Sequence, residues 1–150
     1  MINLTEEKNK KIDFKVKTFT VVTSAILFMC SLTQIAFHIK DSDHIGQYSI
    51  GCLLFGWLAI PGPGILWLAN PLLLFSWIAL FKNIKKAFVY STAAFALAIC
   101  FIFFRKIKLY NVMGESDILS LGLGYWLWVS SCFTNLIGIS ALYLRFINNR

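Results

Sequence analysis

Negative charge is the scarcest commodity in this chain. Only seven of the 150 residues are Asp or Glu (Glu6, Glu7, Asp13, Asp41, Asp43, Glu115 and Asp117), against fourteen Lys and Arg. None of these acids falls inside the long apolar runs, and the basic residues stand at the edges of those runs. With 58% hydrophobic and 14% charged residues, the chain has too little charge to clothe a soluble domain. Acid at depth is also what ion-coupled carriers use to hold the coupling ion, so its lack argues against a coupled pump, though not against a passive conduit. The four cysteines (Cys30, Cys52, Cys100 and Cys132) lie far apart and within apolar blocks. They form no C-x-x-C metal or redox pair and no disulfide framework. No phosphate loop, dinucleotide fingerprint, zinc-protease helix or nucleophile elbow occurs, so no cofactor is expected and the chain reads as non-enzymatic. The net charge of +7 leaves no basic surface for nucleic acid once the apolar runs are set aside, and is better matched to anionic lipid headgroups and to the positive-inside bias.

What the chain does have is length in its apolar runs. Residues 18–38 form an uncharged block long enough to cross a bilayer, and lacking a small-residue exit site they read as an uncleaved anchor. Residues 87–104 and 118–144 are two further candidate crossings. Between 105 and 117 lies a polar loop whose KIKLYNV alternates as a short extended stretch would. Residues 1–17 are polar, carry five lysines, and read as a cytoplasmic tail.

Tyr48 to Phe81 is different: 34 residues pass without a charge. One straight helix of that length would measure about 50 Å, against a hydrocarbon core of about 30 Å. The run must therefore break, and Pro61-Gly62-Pro63-Gly64 is where two prolines remove donors and two glycines loosen the backbone. Residues 48–64 are expected to re-enter or lie at the interface, and 65–81 to cross. Asn70-Pro71 then predicts a proline kink inside that crossing, braced by the asparagine amide, or a discontinuous helix forming a solute site.

Two topologies compete. With four crossings and both termini inside, ten basic residues are cytoplasmic and four external; with five, the division is eight and six. The positive-inside rule favours four. The expected fold is thus an all-α integral membrane bundle of four transmembrane helices, with a re-entrant or interfacial segment before the second.

The strongly polar residues of the spans are Gln34, Asn70 and Asn135, candidates with Pro61–Gly64 and Pro71 for a structural or solute site. Ser130, Thr134 and Gly138, at steps of four, with Ser131 and Asn135 alongside, make a small, weakly polar face suited to close helix packing or to a homo-oligomer seam. Thr92, Ala94, Ala96 and Ala98 make a second. Trp77 and Tyr90 read as interfacial aromatics. Outside, His38, Asp41, Asp43 and His44 gather within seven residues, and their convergence on one pocket would be needed for metal binding or acid–base chemistry.

The segment Gly56-Trp57-Leu58, Trp67-Leu68-Ala69-Asn70-Pro71-Leu72, Ser76-Trp77 resembles a pattern in small uncharacterised bacterial multi-span membrane proteins. The resemblance covers about 22 residues. It implies a bacterial inner membrane and no catalytic activity. In size, basicity and span number the chain is also similar to colicin-type immunity proteins. The expected role is that of an accessory or immunity-type interaction protein, and the alternative is a passive channel or small-solute transporter built around Pro61–Pro71.

Overall fold

A computed structural model of the chain describes residues 4–39, 48–59, 63–108 and 115–148. Among these described residues, five α-helices alternate with short 3-10 turns and three short strands. The order is α1 (Leu4–Leu32), β1 (Phe37–Ile39), α2 (Ser49–Phe55) with a 3-10 extension (Gly56–Ala59), a second 3-10 segment (Pro63–Leu68), α3 (Ala69–Lys82), α4 (Ile84–Cys100) with a 3-10 end (Phe101–Phe103), β2 (Lys106–Lys108), β3 (Glu115–Leu121) and α5 (Leu123–Asn148). Four helical stretches are long and apolar enough to cross a membrane: Lys10–Leu32, Gly64–Lys82, Ile84–Phe103 and Leu123–Asn148. The expected multi-pass helical architecture is what the chain adopts, with a shorter apolar helix before the second crossing.

The four long helices run up and down as a bundle. α1 lies against α5, α5 against α4, and α4 against α3. α3 closes the circuit on α1, where Trp77 meets Phe28 edge-on at 6.1 Å and Phe81 meets Phe14 at 6.2 Å. Near one end of the bundle, Arg145 of α5 reaches Asp13 of α1 at 3.6 Å. The start of α1, the end of α5 and the α3–α4 corner therefore share that end. The corner is a single residue. Asn83 ends α3, its N–H donating to the Ala79 carbonyl, and caps α4, its Oδ1 accepting from the N–H groups of Lys85 and Lys86 at 3.1 and 3.2 Å. Such a cap satisfies donors that α4 cannot pair internally.

The opposite end is closed by an antiparallel sheet in the order β1-β3-β2. Phe37 pairs with Leu121 and His38 with Ser120, then the register shifts and Ile39 pairs with Ile118. On the other side, Lys106 is opposite Asp117 and Lys108 opposite Glu115. Ala36, Phe37 and Ile39 bury a small core that continues through Phe101 towards Tyr125 in the bundle.

This sheet corrects two expected spans. The first helix ends at Leu32 rather than His38. The Ser31 hydroxyl turns back to the Phe28 carbonyl at 2.6 Å and that of Thr33 to the Cys30 carbonyl at 2.9 Å, which uses the last turn's free acceptors and releases the chain to β1. The last helix begins at Leu123 rather than Ile118, because residues 118–121 pair with β1 instead of coiling. Gly122 makes the switch possible: a side chain there would strike the Ile35 carbonyl, and its N–H donates to Ala36 at 2.8 Å. The alternation in KIKLYNV does become a strand at Lys106–Lys108. Residues 4–17, expected as a tail, continue α1 as helix.

Small residues set the spacing of the bundle. Ala87, Ser91, Ala94 and Ala98 are the buried face of α4, while Thr92 turns out to be exposed. On α5 the buried face is Ser131, Cys132, Asn135, Ile139 and Leu142. Ser130 is exposed and Gly138 abuts Thr20 of α1, where any Cβ would collide with the threonine side chain. The expected Ser130/Thr134/Gly138 oligomer face is thus not a free face: its glycine is used within the chain. Gly138→Ala is expected to cost about 1–3 kcal/mol through overpacking. Thermal unfolding in mild detergent should show the loss, and Thr20→Ala in the same chain should restore most of it.

Candidate functional site

Serine supplies most of the polarity inside the bundle. At the α1–α5 seam, Ser24 and Ser131 are both fully buried and bond reciprocally. The Ser131 hydroxyl donates to the Ser24 carbonyl at 2.7 Å, and the Ser24 hydroxyl donates to the Ser131 carbonyl at 3.1 Å. Trp77 of α3 adds its indole N–H to the Ser24 Oγ at 3.1 Å. Trp77 is therefore an interior ring bonded across helices, not the interfacial anchor expected of it.

One turn further along α5 lies a second knot. Asn135 has no solvent exposure, and its amide donates to Ser76 of α3 at 2.6 Å and to Ser91 of α4 at 3.1 Å. Ser76 in turn donates to the Leu73 carbonyl at 2.6 Å. Three helices are held by one side chain, and its Oδ1 is buried with no partner among the described residues. Hydroxyl and amide groups are the polarity a bilayer interior tolerates, since each can be satisfied by a neighbouring helix without burying charge. Ser24, Ser76, Ser91 and Ser131 escape a search for strongly polar residues. Their signal is position: each shares a helical face with the small or apolar residues that pack inward.

The other sequence candidates do not join this knot. Gln34 lies beyond the end of α1, its amide on the Thr33 hydroxyl at 3.2 Å and its carbonyl accepting from the Ser49 N–H at 3.0 Å. Asn70 is half-buried in the first turn of α3, with no hydrogen bond from its side chain among the described residues. Pro71 sits in that same first turn, where the α-helix has not yet needed its missing donor. Just before the expected kink the helix changes type, from 3-10 over Pro63–Leu68 to α from Ala69. The crossing stays continuous from Gly64 to Lys82.

Pro61 and Gly62 lie outside the described residues, but the segments on either side fold back on each other. Gly64 lies so close to Ala59 that a side chain would strike the Ala59 carbonyl. The Trp67 indole N–H donates to the Leu53 carbonyl at 2.7 Å, its ring covering Gly56. The two flanking segments are thus held against each other by backbone contact and by one tryptophan. Of the external cluster, His38 is in β1, while Asp41, Asp43 and His44 lie outside the described residues. Among the described residues no three His, Cys, Asp or Glu side chains gather as a metal site. All four cysteines are free.

The two knots have separable energetic signatures. In a double-mutant cycle of Ser24→Ala with Ser131→Ala, coupling of about 0.6–1.7 kcal/mol is expected, the range for interhelical side-chain bonds in membranes. Unfolding by denaturing detergent is the measurement. Asn135→Ala is expected to weaken the fold by about 1–2 kcal/mol, since two serines lose a donor at once.

No known protein family, curated protein or solved structure matches the chain.

Proposed function

We propose that the chain is a non-enzymatic multi-pass protein of a bacterial inner membrane that works by contact with another membrane protein, as an accessory or immunity-type partner does. The observation that carries this reading is where the titratable groups are. Among the described residues, the Asp, Glu, Lys, Arg and His side chains are confined to the two ends of the bundle, and its interior polarity is spent on bonds between its own helices. Such an interior supports packing and offers no acid–base pair for chemistry.

The same reading places both termini in the cytoplasm. Lys10, Lys11, Lys15, Lys17, Lys82, Lys85, Lys86 and Arg145 belong to the end where the chain starts and finishes, as the positive-inside rule prefers. The folded-back segment then belongs to the external leaflet. Ser49–Ala59 is only 11 residues, too short to cross, yet Ile50, Leu54, Phe55, Trp57 and Leu58 all point outward. Apolar side chains turned away from the protein on a non-crossing segment fit lipid, so we read it as re-entrant.

Reconstitution separates this reading from the passive conduit. Vesicles holding the purified chain should release a small polar solute no faster than empty vesicles; leakage abolished by Asn70→Ala would instead establish the conduit. In cells, a photo-crosslinking residue at Leu119 or Trp126, both exposed at the sheet end, should give a discrete adduct with one membrane protein. Adducts with lipid alone at both positions would overturn the contact role. Topology is checked by single cysteines in a cysteine-free chain: Lys86→Cys should resist a membrane-impermeant reagent added from outside, and Ser120→Cys should react.

A further inference from the structure

The α3–α4 corner carries charge that no ion pair balances among the described residues. Lys82 ends α3, where the helix dipole welcomes a cation. Lys85 and Lys86 then open α4, where the same dipole opposes one, and no acid occupies that first turn. The Asn83 cap satisfies the N–H groups of these lysines but brings no charge. α1 adds to the excess. Val16 joins Ile84 and Ala87 in one apolar cluster, so Lys15 and Lys17 arrive beside the corner. The acids described at this end are already engaged, Glu7 with Lys11 at 2.9 Å and Asp13 with Arg145 at 3.6 Å. Lys15, Lys17, Lys82, Lys85 and Lys86 form no ion pair among the described residues.

Apolar surface adjoins each of these charges. One helical turn deeper than Lys82 lies exposed Ile78, one turn deeper than Lys85 lies exposed Val89, and one turn deeper than Lys15 lies exposed Phe19. Phe14 and Phe81, both exposed, touch between α1 and α3. Three helices thus repeat one motif, a cation at the bundle end above an outward apolar side chain on the same face. A soluble anion would match only its upper half. A ligand with an anionic head and apolar tails matches both.

We propose that this corner is a binding surface for anionic phospholipid, with the headgroup phosphate over the first turn of α4 among Lys82, Lys85 and Lys86, and the acyl chains along Ile78, Phe81 and Val89. The proposal rests on the membrane reading above and goes beyond it, because general attraction to a negative leaflet needs no particular corner. It also accounts for two lysines at a helix start, since a bound phosphate supplies the negative charge that position calls for.

The test is native mass spectrometry of the full chain released from an uncharged detergent with equal amounts of phosphatidylglycerol and phosphatidylcholine. The native chain should keep the anionic lipid preferentially, with a loss of about fivefold for each lysine replaced in Lys82→Gln, Lys85→Gln and Lys86→Gln. Replacement by arginine at the same positions should retain the preference, and Lys10→Gln, away from the corner, should leave it unchanged. Equal retention of the two lipids by the native chain would overturn the proposal, as would a preference indifferent to the three lysines. If the triple variant does not fold, the single Lys85→Gln chain decides by the same criterion. Inorganic phosphate is the control for a free anion: if it displaces the lipid at equal concentration, the lipid assignment falls. A chain that stays dispersed without detergent would instead refute the membrane reading itself.

Discussion

The close approach of the first and last long helices is the constraint on which the rest of this molecule depends. α1 and α5 meet through a glycine, a threonine and two serines that exchange hydrogen bonds directly between backbone and side chain. In hydrocarbon, apolar side chains gain little by leaving lipid for one another, so contact must come from packing and from polar groups that have no better partner. The seam has both. It gathers the two ends of the chain at one end of the bundle and leaves α3 and α4 to complete the circuit from the other side. Trp77 links these halves through the same serine hydroxyl that α5 uses, and Asn135 links them again through Ser76 and Ser91.

At the other end, the same absence of water dictates a sheet and a fold-back. Backbone that leaves a helix near the bilayer must bond to something. Residues 35–39 find residues 118–124, and residues 48–59 find residues 63–68. The apolar cluster around Phe37 and Phe101 joins this cap to the bundle.

Much of this was legible in the residues. The uncharged runs located four crossings, because a charge at depth is costly and the chain avoids it. The proline–glycine knuckle located the turn, because 34 uncharged residues exceed one membrane thickness. β2 showed in its alternation, but β1 and β3 were hidden for a physical reason. Ile118–Leu121 is apolar and runs directly into α5, so composition cannot separate it from the helix; only its pairing with residues 37–39, far away in sequence, does so. The small-residue face of α5 was read with Ser131 and Asn135 on it, and both are buried. Ser130, about 100° away around the helix axis, is exposed. Asn70 and Asn135 are chemically alike, yet one lies in the first turn of its helix and the other at the meeting of three helices, a difference that only tertiary structure decides.

The one-residue corner at Asn83 has a consequence for how the chain is made. α3 and α4 are joined so tightly that the contact of Ala79 and Leu80 with Ala87 is local in sequence. α1, by contrast, is synthesised first and finds its main neighbour last: Ser24 waits 107 residues for Ser131. Before α5 emerges, α3 alone can reach that side of α1, through Trp77. The α1–α5 seam therefore closes only when the last helix has been made.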